Sequence, residues 1–156
     1  VQGDEPLTFP QMIDEAVAPM ISDKSILITN LVADLESLEA FENPNEVKVV
    51  MDKFKNAIYF SREPIPSRKK GVLEVPMKKQ VCVIPFSRNF LLEFNQMEPT
   101  PLEIIESVDM MRILENGMKV KMIDTKYKTK AVDTDSDIEI VKIMMKNDEL
   151  KSEYLF

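Results

Sequence analysis

The sequence has no histidine, no tryptophan, one cysteine and only three glycines in 156 residues. Without histidine, serine and cysteine nucleophiles lose their usual base and most zinc sites lose a ligand. Cys82 sits alone inside the apolar run VCVIPF. It has no internal disulfide partner, which fits a reducing compartment, and it reads as a small buried hydrophobe rather than a nucleophile. No glycine-rich phosphate-binding loop is present. No apolar stretch approaches the length of a membrane span and nothing resembles a signal peptide, so the expectation is a soluble, cytoplasmic protein without a membrane partner. Positive charge is short as well. A net charge of −7 lacks the basic footprint of a general nucleic-acid or membrane-surface binder. The nearest thing to a basic cluster, Arg68-Lys69-Lys70, reads as a solvated loop, with contact to an anionic ligand as the alternative.

What remains is enough for one globular domain: 44% of the residues are hydrophobic. Pro10 opens a helix in which Met12, Ile13, Ala16, Val17, Met20 and Ile21 recur at helical spacing, and Pro19 should bend or split it. ILITNLV (26–32) reads as a buried strand, LESLEAF as a short helix, and VKVVMD and AIYFS as a hairpin turning through 53–56. Residues 62–78 carry three prolines and a charge run and form a long loop. QVCVIPF (80–86) returns to strand and SRNFLLEF to helix. EPTPLEIIESVDMMRILENG reads as one strong helical segment, from a capping box at Thr100 and Glu103 to a stop at Gly117. KVKMID and KAVD read as strands. TDSDIEIVKIMMKND is a final amphipathic helix with Ile138, Val141, Met144 and Met145 on one face. Interleaved strands and helices give an α/β class with a mixed sheet.

Two aspartates share a pattern of strand, Asp, then turn or helix: Asp4 in VQGDEP and Asp133 in KAVDTDSDIE. Ligands of α/β sheets bind outside the carboxyl ends of strands, where both would lie. Thr134 and Asp137 can cap the last helix between them, which leaves Asp133 free of capping duty. A hard cation such as Mg²⁺ takes one or two carboxylates plus substrate phosphates. Ordinary turn aspartates fit the same spacing, so residue chemistry alone stops short of a function.

The blocks VQGDEPL, NPNEVKVVMD, AIYFSREPIPSR, PTPLEIIESVDMMRILENG and VDTDSDIEIVK, in this order over nearly the whole chain, resemble the 3-deoxy-manno-octulosonate (Kdo) cytidylyltransferases and, more distantly, the acylneuraminate cytidylyltransferases. The resemblance implies a Rossmann-like α/β nucleotidyltransferase fold, with residues 1–156 a single partial domain and a dimerisation subdomain around 45–98. It implies an enzyme in which a sugar acid attacks the α-phosphate of CTP, Mg²⁺ held by Asp4 and Asp133, and a homodimer. CTP and the sugar acid are then the partners and nucleic acid is not. By the same resemblance Gln2 touches the sugar, and Arg62 and Arg68 lie in the loop where an arginine would hold the sugar carboxylate.

Three positions depart from the family pattern. Gln80 stands where the Kdo enzymes carry histidine, and Asp109-Met110 where they carry Glu-Gln; all three positions line the sugar pocket in the family. The family also opens with a glycine-rich basic loop upstream of the QGDEP block, so the chain is expected to be roughly the C-terminal two-thirds of such an enzyme. CMP transfer to a different acidic acceptor, and a non-catalytic truncated paralogue, remain as alternatives.

Overall fold

Pro10 lacks the amide hydrogen that a first helical turn leaves unbonded, and helix α1 (Pro10–Ser22) starts there. The structure, a computed structural model, describes residues 1–132, 134–146 and 150. Of the two outcomes expected at Pro19, a bend or a split, the split does not occur: α1 is continuous through it. Packing accounts for this. Met12 and Ala16 are fully buried, and the Thr29 hydroxyl donates to the Ala16 carbonyl at 2.6 Å, which pins the helix to the sheet on the turn before the proline.

Thr29 begins strand β1 (Thr29–Asp34), three residues later than the apolar run suggested; Ile28 only bridges to Phe86. Helix α2 (Leu38–Glu42) is capped by Ser37, whose hydroxyl oxygen accepts from the Ala40 amide at 3.1 Å. Strands β2 (Lys48–Met51) and β3 (Ala57–Ser61) form the expected hairpin. Asp52 organises its turn by accepting from the Phe54 and Asn56 amides, both at 2.8 Å. No helix or strand interrupts residues 62–77. Strand β4 (Lys78–Val81) starts two residues before the expected strand over 80–86 and stops at Val81. Helix α3 (Arg88–Phe94) follows.

The segment from Thr100 to Gly117 is two helices rather than one: α4 (Pro101–Glu106) and α5 (Met110–Glu115). Ser107 breaks them apart in the left-handed region, at φ 53°. The expected capping box is present at Thr100 and Glu103, and Glu103 accepts from the Thr100 amide at 3.1 Å. The first-turn amides of Leu102 and Glu103 also donate to the Glu115 carboxylate of α5, at 3.0 and 3.2 Å. Arg112 closes the pair of helices from the inside with a bidentate contact to Glu103. Gly117, at φ 73°, stops α5 as expected.

Strand β5 (Lys121–Asp124) completes a five-stranded sheet in the order β3-β2-β4-β1-β5, with β1 parallel to β5 and antiparallel to β4. Alternation along β1 sends Val32 and Leu31 to opposite faces. Val32 joins Phe60, Phe90, Phe94, Met111 and Ile113 in the larger core, whereas Leu31 packs with Met12, Ala16, Val81 and Val83 under α1. Residues 130–132, expected as strand, are irregular. The last helix, α6 (Asp135–Lys146), has the full box predicted for it: Thr134 N–H to Asp137 at 2.9 Å and Asp137 N–H to the Thr134 hydroxyl at 3.3 Å.

Candidate active site

The left-handed turn at Ser107 separates α4 from α5. Asp109 and Met110, which follow it, line a cavity of about 110 Å³ with Gln2, Arg62, Gln80 and Cys82 among others. Five of the eight candidate site residues, Gln2, Arg62, Gln80, Asp109 and Met110, therefore converge here, with Cys82 beside them. Gln2 and Asp109 are exposed at its edge, Met110 is its apolar floor, and Arg62 and Gln80 are half-buried in its wall.

Each wall residue is partly committed to the protein. Gln80 donates through Nε2 to Asn30 Oδ1 at 2.6 Å; Asn30 is fully buried and itself donates to the carbonyls of Leu31 and Val81. The Arg62 guanidinium donates to the carbonyls of Glu106 (2.8 Å), Pro44 (2.9 Å) and Ser107 (3.2 Å). That leaves two of an arginine's five N–H groups for a ligand. Met110 belongs to the hydrophobic core as much as to the cavity. Arg68 is not brought to the cavity: its Nε donates to the Leu73 carbonyl at 2.7 Å inside its own loop.

Lys48 is wholly buried beneath this wall, its ammonium donating to the carbonyls of Asn43, at 2.8 Å, and Arg62. Burial lowers its pKa, against the pull of Glu46 and Glu63. Cys82 is half-buried at the cavity rather than enclosed in the core as expected. Its thiol is pushed up to about 12 by burial and by the negative charge of Glu5 and Asp4, so it stays protonated and inert as a nucleophile.

Gly3 and Asp4 make the expected turn, with the Glu5 amide donating to the Gln2 carbonyl at 3.3 Å. The Asp4 carboxylate is exposed, and the Asp4 carbonyl accepts from the Val132 amide at 3.0 Å. The QGD turn and the chain at Val132 are thereby tied together. Asp133 lies outside the described residues. An exposed carboxylate that no described residue engages suits a hard cation that also takes phosphate oxygens, since such ions need few protein ligands. No cluster of three or more metal-ligating side chains exists among the described residues.

A larger cavity, about 410 Å³, contains none of the predicted site residues. Two of its three lysines are engaged by neighbouring acids, Lys79 with Glu46 at 2.9 Å and Lys128 with Glu36 at 2.6 Å. Asn30, Lys48 and Glu106 are the residues that sequence reading missed. The first two carried a signal, a polar side chain inside an apolar strand run; Glu106 carried none.

A family model described as cytidylyltransferase matches residues 1–122. The 3-deoxy-manno-octulosonate cytidylyltransferase of Geobacter metallireducens is 41% identical over 151 residues, which cover 90% of this chain and 59% of that protein. That of Fusobacterium nucleatum is 39% identical over 152 residues, covering 97% of this chain and 61% of the relative. A solved structure of CMP:2-keto-3-deoxy-manno-octonic acid synthetase complexed with CTP matches with a TM-score of 0.85 at 28% identity, over 94% of this chain and 60% of the other. The chain thus spans about three-fifths of the length of these relatives. The mixed sheet is that of the nucleotidyltransferase fold, and the chain belongs to the cytidylyltransferase family.

Proposed function

We propose that this chain provides the acceptor side of an enzyme that transfers CMP from CTP to a sugar acid, 3-deoxy-manno-octulosonate or a related ulosonic acid. What supports this reading is the convergence of Gln2, Arg62, Gln80, Asp109 and Met110, from four separate stretches of sequence, on one cavity. The anomeric hydroxyl oxygen bonds to the α-phosphorus of CTP and gives up its proton to solvent, the bond to the bridging oxygen breaks, and pyrophosphate leaves. Arg62 offers its two free N–H groups to the acceptor carboxylate, Gln2 gives and accepts hydrogen bonds at the open edge, and Asp109 accepts from a hydroxyl. Cys82, held protonated, takes no part. Asp4 and Asp133 would hold Mg²⁺, which when bound offsets charge on the phosphates. A homodimer through a subdomain around 45–98 belongs to the same reading. It draws support from the edge strand β3, whose Ile58 is 59% exposed. No helix among the described residues is long and apolar enough to cross a membrane, and the lone free cysteine suits the cytoplasm.

A second reading, an acceptor other than unmodified Kdo, is favoured by the wall itself. Gln80 has spent a donor on Asn30, and Met110 can neither donate nor strongly accept. One assay tests both. In the full-length enzyme carrying this chain, Asp4→Asn and Asp133→Asn should each lower CMP transfer by about a hundredfold or more. A panel of ulosonic acids compared by kcat/KM then names the acceptor. Near-normal activity of either variant removes the metal assignment, and a parent enzyme inactive on every ulosonic acid removes the function.

A further inference from the structure

Glu106 sits at the last turn of α4, just before the left-handed turn at Ser107, and is engaged almost wholly by one strand. Its Oε1 accepts from the Tyr59 hydroxyl at 3.1 Å and the Ser61 hydroxyl at 3.0 Å, and its Oε2 accepts from the Arg62 amide at 2.9 Å. The contact is reciprocal. The Arg62 guanidinium reaches back to the Glu106 and Ser107 carbonyls, and its third bond, to Pro44, fastens the loop that begins with Asn43. From below, the Lys48 ammonium holds both the Asn43 and Arg62 carbonyls. Three chain segments, 43–48, 59–62 and 106–107, are therefore laced together by charged side chains on backbone carbonyls and amides.

This lacing fixes two things at the cavity. The bond to the Ser107 carbonyl holds a non-glycine residue at φ 53°, a backbone state that costs energy unless its surroundings impose it. The carbonyl contacts also set the plane of the Arg62 fork, and a guanidinium recognises a carboxylate bidentately only when that plane is fixed. We propose that Glu106 is a positioning residue for the acceptor cavity: it anchors Arg62 and the Ser107 turn so that the free edge of the guanidinium and the Asp109 carboxylate face the sugar acid together. This rests on the acceptor reading given above.

The lacing itself is testable in this chain without substrate. In ¹⁵N NMR spectra the Arg62 Nε–H should exchange with water much more slowly than that of Arg88, which is exposed. Glu106→Gln should abolish the difference, since the amide keeps one accepting oxygen for Tyr59 and Ser61 but sets its NH₂ against the Arg62 amide. In the full-length enzyme Glu106→Gln should raise KM for the sugar acid about tenfold, with KM for CTP changed less than about twofold. Met12→Ala, which opens a void under α1 away from the cavity, is the control for mere loss of stability and should leave both constants within about twofold. If Arg62 is unprotected in the parent, or if Glu106→Gln folds and binds the acid normally, the proposal fails. It also fails if Met12→Ala and Glu106→Gln raise both constants in proportion to lost stability. A parent enzyme without sugar-acid activity but with a protected Arg62 would overturn the acceptor reading and with it the role assigned to Glu106, while leaving the lacing as fact.

Discussion

Glu103, on α4, and Glu5, in the QGDEP turn, are both buried, 7% and 9% exposed, and their pKa values shift in opposite directions. Glu103 is gripped by the Arg112 guanidinium, at 2.7 Å to Oε2 and by a second contact to Oε1, and that hydrogen bonding holds its carboxyl below the ordinary range. Glu5 is raised by burial, which the charge of Lys79 and a hydrogen bond from Thr129 only partly offset, and its Oε2 has no partner among the described residues. Lys79 is already engaged by Glu46. Burial thus sets how much an ionised carboxylate matters, and its partner decides the sign. On α4 the buried acid is held by its partner; at the turn, a buried acid sits beside the exposed Asp4 with its charge only partly offset.

Removing the arginine should break this comparison most severely. Arg112→Met leaves Glu103 buried without its partner and frees the Met97 carbonyl that Arg112 also holds at 3.2 Å. The expected loss is about 3–5 kcal/mol of stability at neutral pH, read from urea denaturation of the variant against the parent. A loss below about 1 kcal/mol would mean that the pair contributes no more than a surface bridge.

At the other end of the chain, Asp137 sharpens the contrast, because its carboxylate is well partnered on a thinly packed helix. Lys130 contacts it at 2.8 Å and Thr134 donates to it twice, and together they lower its pKa to about 2. A depressed carboxyl contributes stability that is fully present above its unfolded value of 3.8 and is lost as pH falls through about 2. Asp137→Asn should therefore cost up to about 2 kcal/mol at neutral pH and nothing below the folded value, so the two unfolding curves should merge in acid. Curves that stay parallel down to low pH would show that the charge of Asp137 is unimportant.

The larger architecture was legible because it follows from periodicity: the β2–β3 hairpin, the long loop after Ser61, α3, and the Thr134–Asp137 cap all stand where spacing put them. What was not legible depends on distant partners. Nothing in ESVDMM marks a break, since neither glycine nor proline is there; the break is held by Arg62, whose contact with Ser107 spans 45 positions. Glu106 is likewise defined by donors from 44 to 47 positions away, which no local pattern reveals. Strands β1 and β4 are offset from their apolar runs because pairing register was decided across the sheet, Leu31 opposite Val81, rather than by the centre of hydrophobicity. The resemblance brought the site residues into view; it did not show that Arg68 bonds within its own loop or that most of the Arg62 fork is spent on carbonyls.

Glu5 provides the smallest effect and the most direct test, because its sign is opposite to that of Glu103. A raised carboxyl binds its proton more tightly in the folded chain than in the unfolded one. Its cost is absent below the unfolded value of 4.5 and grows as pH rises through the folded value. Glu5→Gln keeps the shape of the side chain and a group able to bond Thr129 while removing the charge. The variant should be more stable than the parent at neutral pH, by about 0.5–1 kcal/mol once screening by solvent near the exposed turn is allowed for. That gain should shrink to nothing near pH 4, where the parent carboxyl is itself protonated. Chemical denaturation of both proteins across that range measures it. A variant less stable than the parent at neutral pH would mean that the ionised Glu5 has found a cation. Adding Mg²⁺ to the parent alone would then say which kind: a stabilisation that Glu5→Gln abolishes puts the acid next to the ion, and no response leaves Lys79 as its partner.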